Sequence, residues 1–345
     1  METASILLNG KRIDLTQAQL ILQNDLPEWE RDIFEFLAEW FSDSTHISVH
    51  TSGSTGKPKI ISKSKSTLRN SAQMTGEFFQ FQRHQTALLC LPAKYIAGKM
   101  MLVRAIVWQL DLIYITPQIE LKIPETAIYF GAMTPQQVSK NLANLRGISQ
   151  LIIGGAPISP SLEKEILNIP PTCFATYGMT ETVSHIALRK IKTTPTDYQT
   201  LPHIRINTDS RNCLVIEAPK LLSEKIVTND LVTISSPKSF QWVGRIDHVI
   251  NTGGVKISPE KVESKIAQYI TAPFFIGGVD DEKWGQNVVL LLESNPFELS
   301  LLKTQLKEVL SKFENPHSIH FIEKFKRTEN GKLQRNETLK LLLKK

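Results

Sequence analysis

Nine consecutive residues, Thr51–Lys59, combine the side chains that suit a polyphosphate-binding loop. The segment holds two glycines, four hydroxyl side chains and two lysines. Glycine lets the backbone turn so that N–H groups converge on an anion, while hydroxyls add donors and lysine adds charge. The spacing of Gly53, Gly56 and Lys57 differs from the Gly-x4-Gly-Lys-Ser/Thr pattern of the common P-loop. The alternative interpretation of this segment is a flexible surface turn.

Two further motifs follow apolar runs that we predict to be strands. Gly154-Gly155-Ala156-Pro157 comes directly after Leu151–Ile153, and the sequence TYGMTET comes at the end of a later run. The carboxyl ends of parallel strands are where such sheets bind ligands. In the second motif Tyr177 offers a flat face for a base, and Glu181 offers a hard oxygen for Mg2+. Taken singly, the glycine pair is equally consistent with a plain strand-to-helix turn, and Glu181 with a solvated carboxylate.

Asp230 and Arg245 form a third candidate constellation, fifteen residues apart in a strand-rich region. If adjacent strands present them side by side, they could hold a ribose diol. A salt bridge across a hairpin explains the same pattern equally well. A fourth motif, residues 244–260, begins with a polar, hinge-like segment and contains a Gly-Gly turn.

The scaffold that would position these motifs is predicted to be α/β. Continuous apolar runs alternate with helical stretches, which indicates a largely parallel, buried sheet with flanking helices. The apolar runs Ile47–Val49 and Ile60-Ile61 predict strands on either side of the glycine-rich loop, and Asn9-Gly10 predicts a hairpin. The other predicted strands are 87–91, 112–115, 127–130, 151–153 and 172–176, and the predicted helices are 27–41, 66–81, 98–109, 135–145 and 160–168.

The second half of the chain has a different pattern. Residues 190–211 give weak signals, and the predicted strands 214–217, 225–228, 231–234 and 240–243 indicate an antiparallel or barrel-like subdomain. A small α+β unit follows, with predicted strands 248–251, 274–279, 287–292 and 318–322 and predicted helices 259–270 and 299–313. We therefore expect a large domain, residues 1–246, and a small domain, residues 247–345.

Composition places the chain among ordinary globular proteins. It has 345 residues, 41% of them hydrophobic and 21% charged, and a formal net charge of +6. The basic residues are dispersed, so we expect no nucleic-acid partner. No uncharged run reaches the ~18 residues of a membrane helix, and the start of the chain lacks the pattern of a signal peptide. Three isolated cysteines indicate neither disulfides nor a metal site, so a cytoplasmic location is expected, and the oligomeric state is left open.

Taken together and in order, the motifs resemble those of the superfamily of acyl-CoA synthetases, peptide-synthetase adenylation domains and firefly luciferase. The matched pieces are TSGSTGKPK, GGAPIS, YGMTET, TND, GRIDHVINTGGVKISPEKVE and RTENGKLQR, from about Ile47 to Lys332. The resemblance implies an AMP-forming acid–thiol ligase that makes an acyl adenylate. Its ligands would be ATP, Mg2+, coenzyme A and a small carboxylic acid, and its small C-terminal domain would be mobile.

The resemblance also implies a role for each matched residue. The β- and γ-phosphates of ATP would contact Thr51, Ser52, Gly53, Ser54, Thr55, Gly56 and Lys59. Adenine would be lined by Gly154, Gly155, Ala156 and Tyr177, with Thr176, Gly178 and Met179 completing this part of the ATP site and Asp230 and Arg245 on the ribose. Thr180 would lie near the α-phosphate, Glu181 would bind Mg2+, and Lys332 would bridge the substrate carboxylate and the phosphate. Asp247 would be the hinge, and Gly253, Gly254 and Lys256 would face the coenzyme A side of the active site after the small domain rotates.

The chain departs from the pattern of this superfamily in three places. About fifty residues precede the phosphate loop, which is far fewer than usual, so we expect a reduced N-terminal subdomain. The usual Thr-Gly-Asp appears as Thr228-Asn229-Asp230, and because Asn tolerates left-handed backbone the turn is expected to survive. Lys94 and Tyr95 stand where many relatives have an aromatic-His pair beside the acyl pocket.

Arg104 gives the prediction for the acid. It looks like the arginine found at this place in o-succinylbenzoate–CoA ligases of menaquinone synthesis, where it would face the second carboxylate of the substrate, and Ser184 and His185 would add polar contacts. A buried carboxylate needs such a cationic partner. The alternative for Arg104 is a helix-surface arginine. The alternative functions are another aryl- or acyl-CoA synthetase and a nucleotide-binding relative without catalysis.

Overall fold

A computed structural model describes residues 5–50, 60–327 and 333–342 of the chain. The predicted phosphate loop Thr51–Lys59 and the predicted catalytic Lys332 lie outside the described residues. The α-helices are α1 Leu15–Ile21, α2 Glu28–Phe41, α3 Lys65–Phe79, α4 Ile96–Trp108, α5 Pro135–Asn141, α6 Pro160–Ile166, α7 Pro259–Ile266, α8 Ser300–Val309 and α9 Arg335–Leu339. Short 3-10 helices span Leu142–Gly147, Ile246–His248 and Ala267–Tyr269.

The strands follow the predicted order, with additions in the polar region after residue 184. They are β1 Ile6–Leu8, β2 Lys11–Ile13, β3 His46–His50, β4 Ile60–Ser64, β5 Thr86–Leu89, β6 Asp111–Tyr114, β7 Ile128–Met133, β8 Ile148–Ile153, β9 Thr172–Gly178, β10 His185–Lys190, β11 Tyr198–Thr200, β12 Arg205–Thr208, β13 Cys213–Glu217, β14 Ile226–Ser236, β15 Ser239–Arg245, β16 Ile250–Thr252, β17 Val255–Ile257, β18 Phe274–Asp281, β19 Gly285–Glu293 and β20 Ser318–Ile322. No helix of the described ranges is long and apolar enough to cross a membrane.

The first of two compact units comprises the described parts of Met1–Ile158, Leu162–Arg205 and Glu217–Lys225. Its main sheet has the order β11-β10-β9-β8-β7-β5-β6-β1-β2. The neighbours from β9 to β1 are parallel, whereas β1–β2, β9–β10 and β10–β11 are antiparallel. Apolar side chains on several of these strands, including Leu88, Ile128, Leu151 and Cys173, pack in one buried cluster. The predicted α/β class, with a largely parallel sheet and flanking helices, is confirmed.

Two local predictions in this unit follow directly from backbone chemistry. Asn9 and Gly10 both have positive φ, at 47° and 77°, and they connect β1 and β2 as the hairpin signal requires. Strands β3 and β4 pair as an antiparallel hairpin on either side of residues 51–59. The predicted strand–loop–strand arrangement around the glycine-rich segment is therefore confirmed at its two strands.

The second unit comprises Ser159–Ser161, Ile206–Ile216 and the described part of Ile226–Lys345. Within it β13, β14 and β15 form an antiparallel ladder. The prediction of separate strands at 225–228 and 231–234 was wrong, because β14 runs without interruption through residues 226–236. Residues 228–230 stay in the strand at the point where the register of the β13–β14 ladder shifts, but Asn229 is not among the described residues with positive φ, so the left-handed turn expected there does not form.

The same unit contains a small sheet of order β17-β16-β19-β18, with β20 added parallel to β19. Buried residues of α7, α8 and the sheet, such as Val262, Leu306 and Leu290, form a separate core. Ser258 is the residue before α7, as predicted, but its hydroxyl contacts the carbonyl oxygen of Val243 at 3.4 Å and not the helix N-terminus. The functional boundary predicted between residues 246 and 247 remains a prediction.

Candidate active site

The turn Met179–Ser184 connects strands β9 and β10 and carries several predicted site residues. The buried hydroxyl of Thr182 accepts a hydrogen bond from the Met179 N–H at 3.0 Å and lies 2.9 Å and 2.8 Å from the carbonyl oxygens of Met179 and Ser184. Gly178 enters the turn with no room for a side chain, since a Cβ there would lie 2.4 Å from the Ser184 carbonyl oxygen. The turn is therefore compact inside, while Glu181 at its tip is exposed.

Val183 holds this turn in a strained conformation. Its φ is +70°, which is rare for a β-branched residue, and the Ser184 N–H donates to the Thr182 carbonyl oxygen at 2.8 Å. A three-residue turn closed in this way with positive φ is the strained form of the γ-turn. Backbone strain of about 1–3 kcal/mol persists only where the surroundings enforce it, and it is concentrated at functional sites. His185, after the turn, is buried, whereas Thr180 and Glu181, before it, are half-buried and exposed.

The predicted nucleotide-binding glycines lie at the carboxyl ends of β8 and β9, which are parallel neighbours. The N–H of Gly154 donates to the Met133 carbonyl oxygen at 3.1 Å, and Gly155 has a φ of +85°. A Cβ on Gly154 would lie 2.1 Å from Oγ1 of Thr176, so only glycine fits beside this hydroxyl. The structure therefore brings Gly154 and Thr176 together, at the sheet edge where ligands of such folds bind.

Tyr177 and Tyr198 form an aromatic pair at the same sheet edge. Their ring centroids are 5.9 Å apart at an angle of 62°. The guanidinium of Arg189 lies 5.6 Å from the centre of the Tyr198 ring and forms a salt bridge with Glu163. Arg189 therefore packs on the Tyr198 ring, and Tyr198 packs in turn against Tyr177, whose ring we predicted to face a base.

Asp230 and Arg245 stand directly opposite each other on β14 and β15, as the ribose hypothesis requires. Their closest oxygen and nitrogen are 3.9 Å apart, and the Trp242 indole N–H donates to Asp230 Oδ1 at 3.1 Å. Arg245 also donates two hydrogen bonds to Asp247, the predicted hinge residue. Its Nε lies 2.9 Å from Oδ1 of Asp247, and its Nη2 lies 2.7 Å from Oδ2. This guanidinium lowers the pKa of Asp247.

Arg104 is the most unusual charged residue of the first unit. It lies on α4 with an exposed fraction of 1%, and burial lowers its pKa to about 9. Nη2 donates to Ser184 Oγ at 2.8 Å and Nη1 approaches the sulfur of Met101 at 3.5 Å, but Nε is buried without a partner among the described residues. The alternative of a helix-surface arginine is excluded. A buried, incompletely paired guanidinium favours an anionic ligand, because such a ligand supplies the missing charge and acceptors.

His185 adjoins the same cluster and is neutral. Its Nδ1 lies 3.3 Å from Ser184 Oγ, and its Nε2 lies 3.3 Å from Oγ1 of Thr75 on α3. Burial, together with the positive charge of Arg104, lowers the pKa of His185 well below its ordinary value. The predicted trio Arg104, Ser184 and His185 is therefore assembled, with one permanent cation and two neutral polar groups.

The other two predicted acyl-side residues, Lys94 and Tyr95, directly precede helix α4. Lys94 is partly exposed and forms a salt bridge of 3.2 Å with Glu28 Oε1. Tyr95 occupies the position before the first residue of α4, but its side chain forms no cap hydrogen bond. A role for these two residues in the acyl pocket remains a prediction.

On the predicted coenzyme A side, Gly253 and Gly254 form the β16–β17 turn with φ values of +58° and +81°. The Gly253 N–H donates to the Trp284 carbonyl oxygen at 2.8 Å, and Lys256 is exposed on β17.

The family model described as AMP-binding enzyme matches residues 15–209, which is more than half of the chain. The chain belongs to the AMP-binding enzyme family. The superfamily resemblance predicted from the motifs is thereby confirmed.

Relatives with known structures or names are similar along most of this AMP-binding enzyme. A solved acyl-CoA synthetase (AMP-forming)/AMP-acid ligase II-like protein from Dyadobacter fermentans is 33% identical, with a TM-score of 0.62, and the match covers 95% of this chain and 98% of the other. The 2-succinylbenzoate–CoA ligase of Bacillus licheniformis is 23% identical, over 86% of this chain and 70% of its own length. The o-succinylbenzoate coenzyme A synthetase of Bacillus subtilis, solved with ATP and magnesium, has a TM-score of 0.74 at 20% identity, over 86% of this chain and 70% of that one.

The structure of this AMP-binding enzyme also identifies polar residues that the sequence interpretation missed. Thr75 meets His185, and the Lys63 ammonium donates to the Glu181 carbonyl oxygen at 2.9 Å. A signal for Thr75 did exist, since it and Ser71 are polar residues four positions apart on the buried, otherwise apolar face of α3. Lys63 had no such signal, because alternating polar residues are ordinary on a two-stranded hairpin.

Proposed function

We propose that this chain is an AMP-forming o-succinylbenzoate–CoA ligase. The observation that carries the proposal is the buried guanidinium of Arg104, which donates to Ser184 and leaves Nε without a partner among the described residues. An acid with two carboxylates needs a fixed cation for the group that does not react, and a fatty acid would gain nothing from one. The curated relatives named 2-succinylbenzoate–CoA ligase support the same acid class.

The proposed reaction has two steps. A carboxylate oxygen of the acid attacks the α-phosphorus of ATP, the bond to the bridging oxygen breaks, and pyrophosphate leaves. The thiolate of coenzyme A then attacks the carbonyl carbon of the acyl adenylate, and AMP leaves as the thioester forms. Both reactants of the first step are anions, so positioning and charge neutralisation supply most of the acceleration.

Residues on several elements of the described structure have the chemistry that these two steps require. The Asp230 carboxylate, whose Oδ1 accepts from the Trp242 indole N–H, has the chemistry to accept from ribose hydroxyl groups, and Arg245 lies directly across the ladder. Glu181, exposed at the tip of its turn, has the hard carboxylate oxygens that suit Mg2+. Magnesium, when bound, would neutralise phosphate charge during adenylation. The roles of Thr51–Lys59 and Lys332 rest on the superfamily resemblance.

We also propose that the enzyme acts in the cytoplasm. The cysteines Cys90, Cys173 and Cys213 are free thiols and all three are buried. Free thiols are retained in reducing compartments, and coenzyme A, ATP and a small acid are the ligands that this location supplies.

The decisive experiment supplies purified enzyme with ATP, Mg2+, coenzyme A and o-succinylbenzoate. We expect AMP, pyrophosphate and the aromatic thioester, detected by chromatography and mass spectrometry. A matched monocarboxylate, benzoate or a fatty acid, should react at least a hundredfold more slowly in kcat/KM, because Arg104 would remain unpaired. Turnover of the monocarboxylates without the diacid would assign the chain to another acyl-CoA synthetase. If no acid leads to release of pyrophosphate, the chain would be assigned as a nucleotide-binding relative without catalysis.

A further inference from the structure

Lys63 connects the strand that leaves the predicted phosphate loop with the turn that carries Thr180 and Glu181. It lies on β4, opposite Ile47 of β3, and β4 begins directly after residue 59. Its ammonium donates to the main-chain carbonyl oxygen of Glu181 at 2.9 Å, across 118 residues of sequence. The Lys63 side chain is half-buried, and the hydrogen bond itself lies at the exposed surface.

The tip of the turn is where such a contact matters. The hydrogen bonds of Thr182 and the γ-turn at Val183 order residues 179 and 182–184, and the Val183 N–H donates to the Thr180 carbonyl oxygen at 3.0 Å, which closes a turn around Glu181 and Thr182. The peptide group between Glu181 and Thr182 is the central one of this turn, and its carbonyl oxygen is the one that Lys63 contacts, while the Glu181 side chain is exposed. A hydrogen bond from a cation to its carbonyl oxygen fixes the plane of the following peptide group, and with it the direction in which the carboxylate points.

We propose that Lys63 is a positioning residue for Mg·ATP, acting through Glu181. The inference rests on the proposed ATP site but not on the identity of the acid. The Lys63 charge also offsets repulsion between the Glu181 carboxylate and the phosphates.

The chain contains a matched control in Lys65. This residue is two positions further along, and its ammonium also donates to a main-chain carbonyl oxygen, that of Ser42, at 2.7 Å. Ser42 follows helix α2 and belongs to no candidate site. Lys63→Met and Lys65→Met therefore remove the same kind of bond at two places, of which only one touches Glu181.

The test measures the dissociation constants of Mg·ATP and of ATP in EDTA by calorimetry, without acid or coenzyme A. We expect Lys63→Met to weaken Mg·ATP by about tenfold, the effect of losing one charge-assisted hydrogen bond, and to weaken metal-free ATP much less. Lys63→Arg should restore most of the affinity, and Lys65→Met should bind as the wild type does. The double variant Lys63→Met/Glu181→Gln should lose little more than Glu181→Gln alone, because both act through one carboxylate.

Additive losses in the double variant, equal losses in Lys65→Met, or unchanged Mg·ATP binding in Lys63→Met would each overturn the proposal, as would a wild type that binds no Mg·ATP. If Lys63→Met does not fold, as judged by circular dichroism, Lys63→Gln takes its place in the same cycle. Failure of the diacid assay with the Lys63 effect intact would reject the substrate and leave this inference standing.

Discussion

Replacing Arg104 by methionine should stabilise the free protein and abolish its preference for a diacid. Burial lowers the pKa of Arg104 from the ordinary value of a guanidinium to about 9. At about 1.4 kcal/mol per pKa unit, the difference corresponds to a cost of about 5 kcal/mol for keeping the side chain charged. Methionine fills a similar volume without charge. Losing the hydrogen bond from Arg104 to Ser184 should reduce this stabilisation of the folded protein by about 1 kcal/mol.

The expected result is a thermal midpoint about 5 °C higher than that of the wild type, since a stabilisation of a few kcal/mol shifts a protein of this size by that order. The kcat/KM for o-succinylbenzoate should fall on the order of a hundredfold or more, because the second carboxylate would be buried without its partner. The kcat/KM for benzoate should change little. Scanning calorimetry gives the midpoint, and a continuous pyrophosphate-release assay gives the rates.

Arg104→Lys is the matched control for this prediction. It keeps a charge but loses the planar fork, so we expect no rise in midpoint and an intermediate loss of kcat/KM. In the wild type, the diacid should raise the midpoint, and in the methionine variant it should not. A methionine variant that uses the diacid as well as the wild type does would refute the role given to Arg104.

Two further predictions concern other parts of the molecule. Gly154→Ala should weaken ATP binding by about tenfold or more, because the added Cβ would lie 2.1 Å from Thr176 Oγ1. Calorimetry should show that the double variant Gly154→Ala/Thr176→Ala recovers part of the lost ATP affinity. A double variant that recovers none of it would contradict the steric cause. Burial raises the pKa of Glu260, but the hydrogen bond from His248, with Nδ1 2.6 Å from Oε1, helps to bring it below its ordinary value. Ionised Glu260 therefore contributes its full stabilisation of the folded state above about pH 4.5. This contribution is lost as the pH falls through the lower pKa that Glu260 has in the folded protein. Urea unfolding from pH 7 to 3 should be less pH-dependent in Glu260→Gln, and parallel curves for variant and wild type would reject this contribution.

The fold and much of the candidate site were predictable because their signals are local. Apolar runs between residues 87 and 176 gave the strands of the parallel sheet, and Asn9-Gly10 gave a hairpin. The trio Arg104, Ser184 and His185 came from a resemblance between motifs, and the structure assembles it. Asp230 and Arg245 were expected on adjacent strands and are opposite each other.

What could not be predicted depends on long-range packing or on competition between local preferences. Thr75 meets His185 across 110 residues, and Lys63 meets Glu181 across 118. Neither pairing leaves a periodic trace in the sequence. The pairing of β14 with β13 and β15 on either side of Asn229 outweighed the preference of asparagine for turns, so one long strand replaced two short ones.

The strained turn at Val183 has a consequence for laboratory evolution of substrate range. Only three residues separate Glu181, on the proposed ATP side, from His185, on the proposed acid side, and one of them is already held at an unfavourable φ. Random substitutions in this turn are expected to impair the binding of both ATP and the acid, so libraries concentrated on it should return mostly inactive clones. Thr75 on α3 contacts His185, and Met101 on α4 contacts Arg104, so these two positions reach the proposed acid side from separate helices. New acid preferences should be easier to select from that side.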